Sequence, residues 1–424
     1  MPEESGIFLF QKRSSPMKKA DLKKYAHLIA SVGANVQKGQ EVILYAGVEQ
    51  ELLANYIVEE CYKLGAKLVK LEWSSDKISK TTYKKASVKA LSEFPLWREE
   101  KEKYINKTLP AVIFIESSDP DGLKGVNQKK LSQVHRNLIL KVKKYRDERE
   151  NKYQWVVAGA ASKPWAKKVF PGVPTAKAVN MLWDAILKTS RCGDDPIKAW
   201  EEHEKDLSKR TAFLNSLNLD YLHYESSNGT NFKVWLNEKA LWLAGGETIK
   251  HSGVFFNPNI PTEECFTSPI AGKAEGIVYS TKPLSYNGEL IENFSIRFEN
   301  GKAVEVKAEK GQNLLEEMIK MDEGACKLGE VALVPFDSPI NNTGILFFNT
   351  LYDENAACHL ALGIGFNNCI KDYEKYSFEE IKQTGVNDSG IHVDFMIGSK
   401  DLNITGYTKD GKQIPIFRNG NWAF

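Results

Sequence analysis

Two hydrophobic periods alternate along the first third of the chain. In ADLKKYAHLIASVGANV the apolar side chains of Leu22, Tyr25, Ala26, Ile29 and Val32 form one stripe, which predicts an amphipathic helix. Short apolar runs that are typical of buried strands recur downstream, namely QEVILYAG, AKLVKLEW, PAVIFIESS and QWVVAGAA. Helical stretches such as QELLANYIVEECYKLG separate these runs. Strands that alternate with helices indicate βαβ units and a largely parallel sheet.

The pattern changes after about Leu219, where short runs rich in aromatic and β-branched residues begin, such as LDYLHYESSNGTNFKVWLN and GVFFN. SIRFENGKAVEVKAEKG predicts a β-hairpin, because Asn300 and Gly301 tolerate positive φ at both turn positions. Helices are predicted for GQNLLEEMIKMDEG and for a segment that starts near Asn355 and contains His359. The second half is therefore predicted to be rich in β-structure, with few helices.

These patterns predict the α/β fold class and two domains. At 424 residues the chain is too long for one ordinary hydrophobic core. We expect an N-terminal α/β domain with a largely parallel sheet at residues 1–218, which includes a helical linker from Thr175 to Leu217. We expect a C-terminal β-rich α+β catalytic domain at residues 219–424.

The charge balance argues against a nucleic-acid-binding protein. The chain has 57 basic and 55 acidic residues, a net charge of +2, whereas nucleic-acid proteins concentrate basic charge. Lysine clusters such as MKKADLKK are typical of solvated helix faces, and an electrostatic funnel for substrate is the alternative. No apolar run reaches the ~18 residues that cross a bilayer, so no membrane association is expected.

The N-terminal sequence and the cysteines both predict a cytoplasmic protein. MPEESGIFLFQKRSS lacks the basic segment and long apolar segment of a secretory signal. The six cysteines are dispersed without a CxxC pair, which is typical of free thiols in a reducing compartment. Cys265 and Cys358 lie beside candidate metal ligands, where a small buried hydrophobic residue is favoured over a thiolate ligand.

Candidate chemistry is concentrated in the second half. Acids and histidines suited to metal binding occur there as Glu264 in NIPTEECF, Glu330 in KLGEVALV, His359 in DENAACHLALG, and His392 with Asp394 in GIHVDFMIG. This mixture of oxygen and nitrogen ligands suits Zn, Co or Mn. Two adjacent ions need about this many ligands if one carboxylate bridges them. The set predicts a binuclear metal hydrolase if the residues converge in space.

Each candidate ligand also has an ordinary structural interpretation. His392 and Asp394 lie two residues apart in a predicted strand and so share a face, but a half-exposed strand can carry such a pair without a metal. Glu330 fits an exposed strand end, and His359 fits a buried core histidine. Glu354 is a sixth ligand, an anchor for a substrate amine, or an acid favoured near a helix N-terminus.

Glu263 precedes Glu264 in a loop that Pro258 and Pro261 restrict. The two acids are either a solvated pair or one ligand with a neighbouring general base. We assign Glu264 to the metal and Glu263 to proton transfer. Signatures of other hydrolase chemistry are absent from the sequence, including GxSxG, the P-loop and HExxH.

Four segments together resemble the M29 family of metalloaminopeptidases, the group that includes aminopeptidase T, aminopeptidase S and PepS. They are NPNIPTEECFTSP, LGEVALV, TLYDENAACHLALG and VNDSGIHVDFMIG, and ANVQKGQEVILYAG resembles the N-terminal part of the family. The resemblance implies two divalent metal ions, peptide substrates with a free N-terminus, and a homodimer that encloses its active sites. Carried over by motif, the ligands are Glu264, Glu330, His359, His392 and Asp394, with Glu354 as a further candidate.

The chain departs from this family at Phe366, seven residues after His359, where the family usually has a tyrosine proposed to act in catalysis. Phenylalanine has no hydroxyl to donate to a developing oxyanion, so another donor such as Tyr352, or a slower reaction, is implied. Two alternatives to an aminopeptidase therefore stay open. One is a weak or inactive binding or scaffold protein with the same fold, and the other is a binuclear hydrolase acting on other substrates.

Overall fold

The structure is a computed structural model that describes residues 17–424. The segment MPEESGIFLFQKRSS, which is predicted not to be a secretory signal, lies outside the described residues. The chain forms two compact units. Unit 1 contains the chain up to Lys205 and two later segments, Gly245–Thr262 and Asn342–Phe347. The remaining segments form unit 2: Asp206–Ala244, Glu263–Asn341 and Phe348–Phe424.

Unit 1 contains a parallel sheet, as the sequence pattern predicts. Its strands pair in the order β10-β4-β3-β1-β2, and each pair is parallel. The strands of the parallel sheet are β1 Glu41–Gly47, β2 Leu68–Ser74, β3 Ala111–Glu116, β4 Trp155–Gly159 and β10 Asn259–Ile260. A short antiparallel pair, β8 Glu247–Thr248 and β9 Phe255–Phe256, also belongs to unit 1.

Helices connect the parallel strands, so βαβ units form as predicted. Gly33 ends a π-helical turn after the first helix, and a Cβ atom there would approach Val156 to 2.8 Å, which explains the glycine. Residues 190–195 interrupt the predicted helical linker between α8 and α9. The helices of this half of the chain are α1 Lys19–Leu28, α2 Glu51–Lys63, α3 Asp76–Lys85, α4 Val88–Leu91, α5 Leu96–Thr108, α6 Gln128–Arg149, α7 Lys163–Val169, α8 Thr175–Thr189 and α9 Pro196–Ser216. Among the helices described, none combines the length and hydrophobicity that a membrane span requires.

Unit 2 is β-rich and contains two antiparallel sheets. The larger sheet has the order β13-β14-β12-β6-β5-β19-β20-β21, with β15 paired to β14. Its strands are β5 Leu219–Glu225, β6 Asn231–Leu236, β12 Pro269–Tyr279, β13 Leu284–Tyr286, β14 Glu289–Glu299, β15 Lys302–Lys310, β19 Asn403–Thr408, β20 Gln413–Arg418 and β21 Asn421–Trp422.

The smaller sheet of unit 2 carries the candidate metal ligands and has the order β18-β17-β16-β11-β7. Its strands are β7 Leu243–Ala244, β11 Cys265–Thr267, β16 Leu328–Leu333, β17 His359–Gly363 and β18 His392–Met396. Three short helices complete the unit, namely α10 Gln312–Met318, α11 Thr350–Asp353 and α12 Phe378–Gln383.

The predicted hairpin around Asn300 and Gly301 is confirmed. β14 and β15 pair on either side of this turn, and the two turn residues have φ values of 48° and 73°. An asparagine and a glycine accept positive φ at low cost, so the local sequence fixes this turn.

One hydrophobic core unites the two sheets of unit 2. Its members include Leu222, Phe232 and Ile296 of the larger sheet and Val331 and Leu360 of the smaller one. Alternate residues of each strand therefore face this core, while the residues between them face the other way. For the smaller sheet, that other face is the one that bears the polar residues described below.

The predicted helix around His359 is wrong. Helical structure ends at Ala356, Ala357 is extended with φ of −159° and ψ of 159°, and His359 opens strand β17. Each of the five residues of β17 is buried. A short apolar run does not distinguish a buried strand from a buried helix by periodicity alone, and pairing with β16 and β18 decides the outcome here.

A β-bulge at Gly329 orients Glu330. Leu328 pairs with Leu362 but Glu330 pairs with Ala361, so Gly329 is the extra residue. In a regular strand, Leu328 and Glu330 would share a face, but the bulge leaves Leu328 in the core and turns Glu330 to the opposite face. A Cβ atom on Gly329 would lie 2.2 Å from the carbonyl oxygen of Ile364, so only glycine fits without a backbone shift.

We expect Gly329→Ala to lower the free energy of unfolding by about 1–3 kcal/mol, because the added methyl group overpacks a rigid backbone site. Urea denaturation followed by tryptophan fluorescence measures the change. Gly272→Ala is the matched control, since its Cβ would meet no atom within 4 Å in strand β12. Equal stability of the two variants would contradict the proposed requirement at Gly329.

Candidate metal centre

The candidate ligands converge on one face of the smaller sheet, which we call the ligand face. Glu330 of β16 lies opposite Ala361 of β17, which in turn lies opposite Asp394 of β18. His392 lies two residues before Asp394 and opposite Gly363. The period of two along each strand thus directs these polar side chains to one side.

Short distances link the ligand atoms. His359 Nε2 lies 3.1 Å from Glu264 Oε2. His392 Nε2 lies 3.1 Å from Glu330 Oε2 and 3.2 Å from Asp394 Oδ1. The residues form two groups, Glu264–Glu330–His359 and Glu330–His392–Asp394, and within each group the ligand atoms lie within 4.8 Å of one another. Glu330 belongs to both groups.

Small residues leave space between the ligands. Ala332 lies opposite His359, Ala361 lies between Glu330 and Asp394, and Gly363 lies opposite His392. None of the three has a side chain larger than a methyl group. Small residues therefore occupy the positions of the ligand face that lie between the acids and the imidazoles, where a larger side chain would crowd them.

Backbone carbonyl groups orient both imidazoles. Nδ1 of His359 lies 3.1 Å from the carbonyl oxygen of Ala357, and Nδ1 of His392 lies 2.8 Å from that of Ile364. Each contact favours the tautomer in which Nδ1–H donates to the carbonyl. Nε2 of each ring is then directed towards the carboxylates, and its lone pair becomes available to a cation when the ring is neutral.

Burial shifts the pKa values of these groups strongly. Burial raises the pKa of the Glu330 carboxyl to about 7, and the hydrogen bond with His392 opposes this only in part. Burial also raises the pKa of Glu354 well above its ordinary value, and the charges of Asp394 and Glu264 act in the same direction. Burial lowers the pKa of His359, but the Glu264 hydrogen bond and the neighbouring acids outweigh it and raise this pKa to about 10.

The charge of the site fits divalent cations. Glu264, Glu330, Glu354 and Asp394 are all buried. Within residues 17–424, no lysine or arginine forms an ion pair with any of these four carboxylates, and only histidines do so. Two divalent cations carry the same charge as four ionised carboxylates. The donor set of carboxylate oxygens and imidazole nitrogens suits Zn, Co or Mn.

Glu354 lies at the edge of the site and belongs to neither three-residue group. It is buried in a short 3₁₀ turn after α11, and it shares a hydrogen bond with Asp394. Because the pKa of Glu354 is raised and that of Asp394 is lowered, Glu354 is the group that donates the proton. Glu354 is therefore close enough to act as a sixth ligand or to receive a cationic group.

Glu263 is buried in the loop before β11, and its backbone N–H donates to Asn355 Oδ1 at 2.7 Å. It is adjacent to Glu264 but lies outside both three-residue groups. The assignment of Glu264 to metal binding and of Glu263 to proton transfer therefore remains a proposal, supported by this difference between the two acids.

Phe366 lies beside His392, one of the candidate ligands. Its ring centroid is 4.9 Å from that of His392 and 5.4 Å from that of Phe266. The Phe366 N–H donates to Ser268 Oγ at 2.7 Å, which fixes the backbone there. Tyr352, the alternative hydroxyl considered from the sequence, is fully buried in α11.

The neighbouring cysteines belong to the hydrophobic core. Cys265 and Cys358 are both members of the core of unit 2. The Cys358 thiol donates to the carbonyl oxygen of Val334 at 3.2 Å. Burial raises the pKa of each thiol to about 12, which favours the protonated form that does not bind metals.

Two site residues were missed by sequence reasoning. Phe266 lies on the ligand face, because it is paired with Ala332. The sequence pattern that could have indicated this is the alternation of Cys265, Phe266 and Thr267 along the strand. Asn355 is fully buried and contacts both acidic segments. In the sequence, the only indication of a role for Asn355 was its position directly after Glu354.

Comparison with known proteins gives a consistent result. A family model described as "Thermophilic metalloprotease (M29)" matches residues 18–422. Aminopeptidase AmpS of Bacillus subtilis (strain 168) is 45% identical over 405 residues, covering 95% of this chain and 98% of the relative. Aminopeptidase T of Thermus thermophilus is 38% identical over 407 residues, covering 96% and 99%. The solved structure of wild-type AmpT from Thermus thermophilus matches with a TM-score of 0.86 at 37% identity, covering 96% of this chain and all of that chain.

The stabilisation of the fold by added Zn²⁺ should increase with pH. Between the ordinary carboxyl pKa of 4.5 and the value of about 7 at Glu330, the folded chain retains a proton that the unfolded chain has lost. The metal-free fold therefore loses stability as the pH rises through this window. Zn²⁺ takes the place of that proton and of the Nε2 protons of the two histidines, so a higher pH favours its binding.

We expect the increase in Tm caused by Zn²⁺ to be small at about pH 5 and several degrees larger at about pH 8. Differential scanning calorimetry after treatment with a chelator measures both values, with Mg²⁺ as the control ion. An increase that is the same at both pH values would show that these groups do not bind the ion.

Proposed function

Because this chain belongs to the M29 family of metallopeptidases, we propose that it is an aminopeptidase that removes residues from the free N-terminus of peptides at a site for two divalent cations. It is an enzyme of the peptide hydrolase class. The observation that carries the two-cation proposal is the pair of three-residue groups that share Glu330. A shared carboxylate is the arrangement that places two ions side by side.

In this proposal, Glu264, Glu330 and His359 would hold one cation, and Glu330, His392 and Asp394 would hold the other. Such cations polarise a carbonyl group and lower the pKa of water, which makes hydroxide available at neutral pH. The backbone carbonyls at Ala357 and Ile364 keep the two imidazoles in the required tautomer.

Glu354 gives the site a place for the substrate amine. Its carboxyl group is buried next to Asp394, at the edge of the ligand set. A peptide with a free N-terminus brings a cationic amine, which this excess of acids attracts. A peptide with an acetylated N-terminus lacks that charge, so the site discriminates between free and blocked chains. The alternative role of Glu354 as a sixth ligand remains compatible with its position.

Glu263 is our candidate for the general base. Its carboxylate would accept the proton of the attacking water and return it to the leaving amine. Its backbone is fixed by the Asn355 amide, and it lies next to the ligand Glu264 without belonging to either ligand group.

Three finer assignments belong to the same proposal. The resident ions are Zn, Co or Mn, on the basis of the donor set. The active form is a homodimer, as the family resemblance implies, and light scattering tests this. The enzyme works in the cytoplasm, which the free state of its six cysteines supports, since disulfides are rare in reducing compartments.

A substrate panel separates the aminopeptidase from its alternatives. After chelation and addition of Zn, Co or Mn, the protein is assayed on Leu-, Arg-, Phe- and Ala-arylamides, their N-acetylated forms, and a phosphoester. Release from the free-amine substrates alone supports the proposal. Release from blocked amides or from the phosphoester indicates a different binuclear hydrolase, and silence on every substrate indicates a scaffold protein.

We expect Glu263→Gln to lower kcat by about 10²–10⁴-fold, because the amide cannot accept the proton of water. Its metal content should equal that of the wild type, measured by elemental analysis. Glu323→Gln is the matched control, because the side chain of Glu323 is 94% exposed on the surface of unit 2. Unchanged turnover, or loss of metal, would remove Glu263 from this role.

We expect Phe366→Tyr to raise kcat on the order of 10-fold or more, because it restores a hydroxyl donor beside the metal centre. The ring already packs against His392, so the substitution adds a single oxygen without moving the backbone held by Ser268. Phe366→Leu is the control that changes the ring without adding a donor. Equal kcat for wild type and the tyrosine variant would show that no hydroxyl is needed at this position.

A further inference from the structure

One buried side chain connects two acidic segments that are distant in sequence. Asn355 is fully buried in the 3₁₀ turn that begins at Glu354. Glu263 and Glu264 reach Asn355 from the loop before β11. Glu263, which bonds to Asn355, lies 92 positions earlier in the chain.

The amide of Asn355 makes three hydrogen bonds. Its Oδ1 accepts from the backbone N–H of Glu263 at 2.7 Å. Its Nδ2 donates to the carbonyl oxygen of Leu351 at 2.9 Å and to Glu354 Oε1 at 3.3 Å. Acceptor and donor functions are both used, and no other side chain of similar size offers both in this geometry.

The bond from Glu263 fixes the start of the strand that carries Glu264. Glu264 is one residue further on, and its carboxylate lies 3.1 Å from His359 Nε2. The bond to Glu354 Oε1 sets the direction of the second carboxylate, which shares a hydrogen bond with Asp394. The Leu351 bond ties the amide to α11, so the turn cannot rotate as a unit. One amide thus sets the relative positions of two acids from separate segments.

We propose that Asn355 is a positioning residue that sets the separation between Glu264 and Glu354 and thereby the affinity of the centre for divalent cations. The inference rests on the proposed function, since it assumes that these acids face the cations. Asn355 itself belongs to neither three-residue group of candidate ligands. Groups that orient metal ligands typically contribute 10–100-fold in metal affinity or activity when they are removed, on the order expected here.

The test is a Zn²⁺ titration of the chelated protein by calorimetry, comparing wild type with Asn355→Ala. We expect the variant to bind Zn²⁺ about 10–100-fold more weakly than the wild type. Asn257→Ala is the matched control, because Asn257 is a buried asparagine of unit 1 whose amide donates to the carbonyl oxygen of Val32. It should lower the unfolding free energy without changing Zn²⁺ affinity.

A double-mutant cycle separates positioning from general loss of stability. If Asn355 acts through Glu354, then Asn355→Ala should weaken Zn²⁺ binding less in a Glu354→Gln background than in the wild type. Fully multiplicative effects would overturn the proposal, as would wild-type Zn²⁺ affinity in Asn355→Ala. If the alanine variant does not fold, Asn355→Ser enters the same cycle, because its hydroxyl retains one hydrogen bond.

The outcomes distinguish this inference from the proposed function. If the wild-type protein binds Zn²⁺ and cleaves free-amine substrates but Asn355→Ala behaves identically, the inference alone fails. If the wild-type protein neither binds Zn²⁺ nor cleaves any substrate, the proposed function fails first.

Discussion

The metal centre depends on the alternation of side chains along the short strands of the smaller sheet, which the bulge at Gly329 interrupts once. Each strand of the smaller sheet directs one set of side chains into the core of unit 2 and the alternate set to the ligand face. Burial of the apolar side chains, such as those of Val331 and Leu360, anchors the sheet. The polar side chains take the positions that this packing gives them. Packing of the apolar side chains therefore fixes the backbone from which the ligands project.

Buried acids make this arrangement costly in the absence of a counter-charge. A carboxylate that leaves water without a partner loses several kcal/mol of solvation, on the order of the total stability of a domain. The raised pKa values of Glu330 and Glu354 report that cost. The chain supplies two imidazoles against four carboxylates, so the site is complementary to cations. Cation binding and folding of the chain are therefore coupled through the charges of these carboxylates and imidazoles.

Backbone groups carry out much of the positioning. Carbonyl oxygens at Ala357 and Ile364 orient the two imidazoles, and the bulge at Gly329 turns Glu330 out of the core. These contacts depend on the path of the backbone rather than on side-chain identity. A substitution that alters this path therefore changes the site even when the substituted residue does not contact it. The Asn355 amide is the side-chain counterpart of the same principle.

Local sequence was enough to predict the βαβ units, the β-rich second half, the hairpin at Asn300 and the set of candidate ligands, because each depends on local period, turn chemistry or residue type. Local pattern did not distinguish strand from helix at His359, because a short apolar run fits both, and pairing with two neighbouring strands made the choice. Nor did it indicate that Asn259–Ile260 completes the parallel sheet of unit 1. Only the tertiary structure decided which acids approach which imidazoles, because their separations depend on strand register and on one bulge, and neither is written in any single segment.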